Sequence, residues 1–445
     1  MKLPNLLATR KGRLTTFFLL YITEGIPLGF AAVALATQLR RQGASAGAIS
    51  AFVGAIYLPW AFKWLVGPVV DVVASDRFGR RRAWIFTMQI GMVVTLFMLQ
   101  AAGLEAGIQT LTTLIIVHNI FAATQDVAID ALAVGVLKED ERGLAGGLTF
   151  AAAYLGQAVG GSGALWISSA YGAGSAFWFV AVSILIITVL VVLPLQEPKG
   201  DRPAPPGVSA WAHIRDEIGG FLRRAWAAFT ASRASLLGLP FAILPAGAMA
   251  LGLAFQTNLA VDMGFDDNAV SALNLWTTIA SAGGCVAGGW LSDRLGRRQA
   301  LTWFILSMSP PTLWLAWRLA QVGFILPLDA AHRADRIVPE ALVVAFWIAS
   351  LVYSVGNGLM YGARAALFMD VSDPRVAATQ FTAYMALLNL GIAMSGWWQG
   401  KVVDRIGYPR TLALDAFAGL LCLLFLALMG RITARRHVEP APRTD

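Results

Sequence analysis

Twelve long apolar stretches constrain the fold of this chain more than any other feature. A helix needs about 20 mostly apolar residues to cross the hydrocarbon core of a bilayer. Charged residues make up only 13% of the 445 residues, against about 25% in a typical soluble domain. The pattern predicts an all-α integral membrane protein with twelve transmembrane helices, and it argues against a soluble enzyme. The predicted spans cover residues 14–38, 48–70, 83–103, 108–134, 143–169, 173–194, 235–260, 268–291, 299–325, 340–366, 375–400 and 409–430.

Lysine and arginine are distributed unequally between the two sets of loops. With a cytoplasmic N-terminus, 24 of the 34 basic residues fall in cytoplasmic segments, 7 in outer loops and 3 within spans. Positive residues favour the cytoplasmic side of a membrane, so both termini are predicted to be cytoplasmic. The same bias accounts for the net charge of +8. Because no single basic domain remains, we expect no nucleic-acid partner.

A polar segment divides the chain into two halves of six predicted spans each. We predict an N-terminal half at residues 1–195, a cytoplasmic linker at 196–234 and a C-terminal half at 235–445. The linker begins with several prolines, which suit an extended chain. Apolar residues then recur at helical spacing opposite arginines, which predicts an amphipathic helix on the membrane surface.

A loop motif, Gly-x-x-x-Asp-Arg-x-Gly-Arg-Arg, occurs after span 2 and again after span 8, with five additional residues inside the first copy. We expect its first glycine to let two helices approach closely, and its aspartate to pair across the halves with an arginine or a helix N-terminus. The motif would thus gate movement between the halves. Its positions are Gly67, Asp71, Arg77, Gly79 and Arg80, then Gly289, Asp293, Arg294, Gly296 and Arg297.

A third, partial copy of the motif consists of Gly400, Asp404, Arg405 and Gly407. By the predicted topology it lies on the outer side. We interpret it as a coincidence or a decayed copy.

Two six-span halves that repeat this motif resemble the major facilitator superfamily. Residues 24–29, 58–64, 123–130, 139–143 and 378–380 resemble the AmpG-type muropeptide permeases and the related acetyl-CoA transporters. The resemblance implies a monomeric secondary transporter in the bacterial inner membrane. It implies proton-coupled import of a small organic solute such as a muropeptide. Siderophore importers of the RhtX/FptX type share much of this pattern, so a siderophore and a CoA-type anion remain alternative substrates.

Three acidic residues inside spans are candidate proton carriers. Glu24 lies in span 1, whereas Asp126 and Asp130 lie four residues apart on one face of span 4. Two close carboxylates repel each other, so one of them is expected to hold a proton near neutral pH. Lys63 and Arg364 are the candidate charge partners. The alternative is structural: ion pairs holding helices 2 and 4 together, with Glu24 hydrogen-bonding between helices.

The resemblance also places spans 1, 4, 7 and 10 around the substrate cavity. For His118 in span 4, a hydrogen-bonded packing role is at least as plausible as a proton relay. The sequence has no metal-ligand spacing and no nucleotide-binding loop, so we expect no metal and no cofactor. It also lacks a nucleophile and base constellation, so we expect no enzyme activity. The candidate cavity residues are His118, Asn119, Gln125, Gln256, Asn258, Tyr353, Asn357, Tyr361 and Arg364.

Two glycine pairs mark small-residue faces on neighbouring spans. Gly156 and Gly160, with Gly161 and Gly163, lie on span 5, and Gly284 and Gly288 lie on span 8. We expect spans 5 and 8 to pack across the boundary between the halves, and the alternative is ordinary helix packing.

Overall fold

The computed structural model describes residues 5–73, 78–197, 210–230, 232–333, 336–372 and 377–433. Within these residues the chain forms helices and no strands. Below, each helical segment keeps the number of the predicted span that it covers. The end of the bundle with the two loop motifs is called the motif side, and the opposite end is called the far side.

The helices of the N-terminal half follow the predicted order, and three of the spans contain a short π-helical stretch. They are span 1, Arg10–Arg41; span 2, Ala46–Ile56, Leu58–Ala61, Lys63–Leu65 and Gly67–Val72; span 3, Arg80–Ala102; span 4, Ile108–Val136; span 5, Glu139–Ala158, Val159–Gly163 and Ala164–Tyr171; and span 6, Ala173–Val192.

The linker helix and the helices of the C-terminal half also follow the predicted order. They are the linker helix, Ala210–Thr230; span 7, Arg233–Ile243, Ala250–Gly252 and Phe255–Asp262; span 8, Asp267–Leu295; span 9, Arg297–Gln321; span 10, Glu340–Val371; and spans 11 and 12, Ala377–Ala418, which bends at Gly407, followed by Cys422–Thr433.

In the part of the chain that the structure describes, eight helices are long and apolar enough to cross a membrane. They cover predicted spans 1, 2, 3, 4, 6, 8 and 10, together with one 50-residue segment, Gln380–Met429, over spans 11 and 12. The segments of predicted spans 5, 7 and 9 are helical but do not satisfy the same length and hydropathy limits. The chain is therefore an all-helical, multi-pass membrane protein, and the count of twelve spans stays a prediction.

Span 7 is interrupted in the middle. Pro245 lacks an amide hydrogen and Gly247 has φ +86°, and both features disfavour a continuous helix. Arg364 closes the first half-helix by donating to the carbonyls of Phe241 and Ala242 at 2.8 and 2.9 Å. Exposed backbone groups at such a break must find partners, and here a buried guanidinium provides them for the carbonyls.

The second half of span 7 begins on a buried carboxylate. Asp415 in span 12 accepts hydrogen bonds from the amides of Met249 and Ala250 at 2.7 and 2.9 Å, and Gln399 donates to its other oxygen at 2.7 Å. Asp415 is only 1% exposed. The break is thus stabilised by opposite charges that match the two helix ends.

Spans 5 and 8 meet across the boundary as expected, since Asn274 donates to Ser162 at 2.9 Å and Ser162 donates to the carbonyl of Ser271 at 2.9 Å. The two glycine pairs themselves, however, face helices of their own half. A methyl group on Gly160 would lie 2.0 Å from the carbonyl oxygen of Ile26 in span 1. One on Gly288 would lie 2.3 Å from the carbonyl oxygen of Leu359 in span 10. These glycines let spans 1 and 5, and spans 8 and 10, form tight pairs inside each half.

The linker helix is amphipathic, as its sequence pattern predicts. Ile214 and Phe229 are buried, and the Phe229 ring lies 5.1 Å from that of Tyr384 in span 11. Trp211 and Trp226 lie on the same apolar side of the helix, three residues from these buried side chains, but they are 80% and 69% exposed. The apolar side therefore packs only in part against the C-terminal half and leaves two tryptophans exposed.

Candidate functional site

A polar cavity lies between the two halves, lined from spans 1, 2, 5, 7, 8 and 10. Gln256, Tyr353 and Asn357 from the predicted set line it. Gln256 donates to Thr277 of span 8 at 3.2 Å. None of the described residues that line it carries a charge. Sequence reasoning missed several further polar lining residues, because spans 2, 5 and 8 were not expected to contribute: Tyr57, Tyr154, Gln157, Asn274 and Thr277.

The polar residues of span 4 lie elsewhere. Gln125 donates to Thr23 of span 1 at 2.8 Å, and Gln89 of span 3 donates to the same hydroxyl at 3.3 Å. His118 pairs with Thr95 of span 3 at 2.8 Å through Nδ1. These side chains are buried and connect the helices of the N-terminal half. They do not line the cavity described above.

Asn119 and Asn258 donate to backbone carbonyls. Asn119 bonds Ile115 at 2.9 Å within span 4, and Asn258 of span 7 bonds Ala46 of span 2 at 3.1 Å. The second of these contacts crosses between the halves on the far side. Neither residue is among those that line the cavity.

Arg364 and Tyr361 belong to the surroundings of the span 7 break. The Arg364 guanidinium lies 5.2 Å from the ring of Phe241, and Tyr361 is among its electrostatic neighbours. This position differs from the expected pairing of Arg364 with Asp126 or Asp130. The carbonyls at the end of the first half-helix attract the guanidinium instead.

An acidic cluster lies where spans 1, 2 and 4 meet towards the motif side. Lys63 Nζ is 2.6 Å from Asp126 Oδ2 and 3.9 Å from Asp130 Oδ2. Tyr21 of span 1 donates to Asp130. The Glu24 carboxyl has Asp126, Lys63 and Asp130 as its electrostatic neighbours. The structure therefore brings together all three predicted proton carriers and one of their two predicted charge partners.

The cluster forms because span 2 is irregular. Pro59 and Pro68 begin short helices, and the 3-10 turn Lys63–Leu65 lies between them. On span 4, the four-residue spacing of the aspartates places both on the face towards this turn. Asp130 is 49% exposed, whereas Asp126 is 3% exposed. Asp130 is thus the outer carboxylate of the pair, with Asp126 directly behind it.

Glu24 connects this cluster to the cavity. Its Oε2 atom is buried and has no hydrogen-bond partner among the described residues. One helical turn further along span 1, Leu28 lines the cavity. A change in the charge of Glu24 would therefore act directly on the helix that forms the cavity wall.

The first loop motif binds the end of span 6. Gly79 has φ +90°, and the amides of Arg80, Arg81 and Arg82 at the start of span 3 donate to Glu197 at 2.7–3.1 Å. The motif pattern did not predict this acidic helix cap. The side chain of Asp71 and the whole of Arg77 lie outside the described residues.

The second loop motif makes its ion pairs inside the C-terminal half. Arg297 Nε is 2.7 Å from Asp370 Oδ2 at the end of span 10, and Arg297 also lies 3.3 Å from Asp293. The Arg294 guanidinium lies 3.9 Å from the ring of Trp290, and Gly296 has φ +84°. These contacts differ from the expected pairing of the motif aspartate across the halves.

The expected close approach of the motif glycines is also not seen. A methyl group on Gly67 or Gly289 would meet no atom of the described chain within 4 Å. The outward face of each motif glycine is therefore open in this conformation, although the backbone of Gly289 itself lies against Gly362 of span 10.

The far side is closed by a buried charge network that sequence reasoning missed. Arg40 of span 1 donates to both oxygens of Asp262 in span 7 at 2.6 and 2.7 Å. Arg333 and Tyr408 bond the same carboxylate at 3.1 and 2.8 Å. The Arg40 and Asp262 side chains are 1% and 0% exposed. Both arginines are predicted from the sequence to lie in outer loops. The signal that could have indicated the network is Asp262, an aspartate in the apolar sequence at the end of span 7.

Spans 2 and 11 meet through small residues on the far side. A methyl group on Gly54 would lie 2.8 Å from the carbonyl oxygen of Ala393, and one on Gly396 would lie 2.7 Å from the Cα atom of Gly54. Together with the Arg40 network, this contact joins the halves on the far side. The conformation is therefore closed on the far side, whereas the outward faces of Gly67 and Gly289 are open on the motif side.

Comparison with known proteins agrees with this architecture. A family model described as Major Facilitator Superfamily matches residues 14–396. The anhydromuropeptide permease of Escherichia coli (strain K12) is 27% identical over 442 residues, which cover 95% of this chain and 80% of that protein.

Two solved structures have the same fold. One is a bacterial homolog of the human lysosomal transporter Spinster in an inward-facing, unoccupied conformation, with a TM-score of 0.68 at 16% identity, covering 97% of this chain and 99% of that one. The other is a D-xylose-proton symporter, with a TM-score of 0.66 at 14% identity, covering 93% of this chain and 97% of that one.

Proposed function

Because the chain belongs to the major facilitator superfamily and is therefore a secondary transporter, we propose that it imports a muropeptide-like solute together with protons across a bacterial inner membrane. The excess of basic residues on the motif side favours a cytoplasmic position for that side. With that orientation, the closed far side faces the periplasm and the structure represents an inward-facing state.

The acidic cluster is the observation that carries the proton coupling. Three carboxylates share one lysine, so Lys63 can neutralise only one of them. The remaining negative charges repel each other, and a proton on Glu24 or on the Asp126–Asp130 pair relieves this repulsion. Protonation also weakens the attraction to Lys63 that holds spans 2 and 4 together. The occupancy of the cluster thereby changes which conformation of the bundle is favoured.

Uptake into proteoliposomes tests the coupling. An imposed pH gradient should drive accumulation of a labelled anhydromuropeptide in the parent protein. Glu24→Gln, Asp126→Asn and Asp130→Asn should lose gradient-driven accumulation and keep exchange of labelled for unlabelled solute, because exchange needs no net proton movement. Glu340→Gln removes an exposed carboxylate at the start of span 10, outside the cluster, and is the matched control. Full proton-driven uptake by all three cluster variants would contradict the proposed coupling.

The cavity suits the hydroxyl- and amide-rich part of a solute. Its polar groups are phenols, amides and hydroxyls, which suit a sugar and its acetamido group. A CoA-type anion would need cations for its phosphates, and the Nη2 group of nearby Arg364 already donates to backbone carbonyls, while its buried Nε has no partner among the described residues. The name of the Escherichia coli relative points to the same class of solute.

Thermal stabilisation by candidate ligands tests the substrate class. A thermal-shift screen of the purified protein should show stabilisation by anhydromuropeptides, and weaker or no stabilisation by ferric siderophores and CoA esters. Tyr353→Phe and Asn357→Ala should reduce the muropeptide shift. A larger shift with a siderophore or a CoA ester would replace the muropeptide proposal with that alternative.

A further inference from the structure

The partial third copy of the loop motif reproduces the second copy at identical spacing. Gly400, Asp404, Arg405 and Gly407 repeat the Gly-x-x-x-Asp-Arg-x-Gly part of the motif after span 8. Gly407 has φ +82°, close to the +84° of Gly296 and the +90° of Gly79. The interpretation as a coincidence is therefore doubtful, and the contacts of Asp404 decide what the copy does.

Asp404 binds the start of span 2, which belongs to the other half. Its Oδ1 atom accepts the amide hydrogen of Gly47 at 2.9 Å, and its Oδ2 atom accepts the hydroxyl hydrogen of Ser45 at 2.7 Å. Ser45 is the N-cap of the helix Ala46–Ile56. A carboxylate in this position is attracted by the unpaired amides and the positive end of the helix dipole.

The glycines of the copy make this contact possible. A methyl group on Gly47 would lie 2.2 Å from Asp404 Oδ2 and 2.4 Å from the carbonyl oxygen of Gly400. A methyl group on Gly400 would lie 2.5 Å from the carbonyl oxygen of Gly47. The two backbones therefore touch where the carboxylate reaches the helix terminus. At the equivalent glycines on the motif side, Gly67 and Gly289, the described chain leaves open space.

We propose that Asp404, with Gly47 and Gly400, is a far-side latch, and that Asp404 is a positioning residue which favours the state with the far side closed. At the latch, spans 2 and 11 approach each other closely on the far side. The sequence predicted this kind of approach for the helices beside the two motif copies on the motif side. When the far side opens, spans 2 and 11 separate there and the carboxylate returns to water. The inference rests on the proposed alternating movement of the halves, and it is independent of the substrate.

Two distances measured in the purified full-length protein test the latch. Spin labels at Gln109→Cys and Ile337→Cys report on the far side, and labels at Val134→Cys and Leu295→Cys report on the motif side. The four positions are exposed, and the native Cys285 and Cys422 are buried. In Asp404→Asn, the ratio of far-side-closed to far-side-open molecules should fall about two- to fivefold, the range for loss of a charge at an exposed helix terminus. The far-side distance should lengthen while the motif-side distance shortens.

Control variants separate the latch from general charge and folding effects. Asp329→Asn removes the same charge from a far-side loop, where Asp329 contacts His332 and not spans 2 or 11, and it should leave both distances unchanged. Gly47→Ala inserts a methyl group between the helices and should shift both distances in the same direction as Asp404→Asn. If the Asp404 variant does not fold, the two distances in Gly47→Ala test the latch instead.

The outcomes distinguish the latch from the wider proposal. If the parent exchanges between two distance populations and neither Asp404→Asn nor Gly47→Ala shifts them beyond Asp329→Asn, the latch is refuted and alternating access stands. If the parent shows a single population at every pH and with every solute, alternating access itself is refuted. Opposite shifts on the two sides support the latch, because simple local loosening would not shorten the motif-side distance.

Discussion

Replacing Asp262 with asparagine removes the central charge of the network that closes the far side. The carboxylate accepts hydrogen bonds from Arg40, Arg333, Tyr408 and the amide of Leu328, at 2.6–3.2 Å. An asparagine has the same shape but brings no charge to two guanidinium groups. The two arginines would then remain close together and largely buried, with side-chain exposures of 1% and 11%.

The magnitude follows from this burial. Removing one partner of a buried ion pair costs about 3–5 kcal/mol, because the other charge is left without compensation in a dry site. The far-side-closed state bears this cost, whereas opening lets water solvate both arginines. The closed-to-open ratio should therefore fall by about a hundredfold to a few thousandfold, since each 1.4 kcal/mol is about tenfold.

The spin-label pairs described for the latch measure this ratio, and Asp267→Asn is the matched control. Asp267 pairs with Arg41 at 2.8 Å across the same side, but these side chains are 15% and 34% exposed. Half-exposed pairs contribute about 1 kcal/mol or less, so the control should shift the ratio by less than about tenfold. An Asp262→Asn shift no larger than that of Asp267→Asn would refute the reasoning that burial makes the network decisive.

Three further predictions concern stability in detergent, measured as the thermal unfolding midpoint. Lys63→Met should destabilise by about 3–5 kcal/mol, because Asp126 keeps a buried charge without a cation, and adding Asp126→Asn should recover part of the loss. Gly288→Ala should destabilise by about 1–3 kcal/mol by overpacking, whereas Gly289→Ala, next to it but facing open space, should change stability by less than about 0.5 kcal/mol. Glu197→Ala should cost about 0.5–2 kcal/mol through loss of the span 3 cap. Equal effects at the two neighbouring glycines would contradict the assigned packing.

The sequence was sufficient to predict the fold class and to propose Asp126, Asp130 and Lys63 as neighbours, but it indicated no partner for Glu24. Apolar length alone predicts membrane helices, and the four-residue spacing of Asp126 and Asp130 predicts their common face. Lys63 was expected to be a partner because it lies at a similar depth in span 2. Its 2.6 Å contact with Asp126 is in line with that expectation.

The contacts between halves could not be read from one chain. Arg40 and Asp262 are 222 positions apart, and nothing in local periodicity connects them. Pro245 and Gly247 mark the break in span 7 in the sequence, but only the folded chain brings Arg364 to the carbonyls of Phe241 and Ala242. The glycine pairs showed which faces are small, but a small face does not reveal the helix that it packs against.

The interruption of span 7 has a mechanical consequence. The half-helix Phe255–Asp262 carries the network aspartate at its far end and is separated from Arg233–Ile243 by a non-helical segment. Asp415 accepts hydrogen bonds from the amides of Met249 and Ala250, and so fixes the part of the break that leads into Phe255–Asp262. Because a non-helical segment separates them, Phe255–Asp262 can tilt without breaking the helical hydrogen bonds of Arg233–Ile243. A small rotation at the break then becomes a larger displacement of Asp262 on the far side.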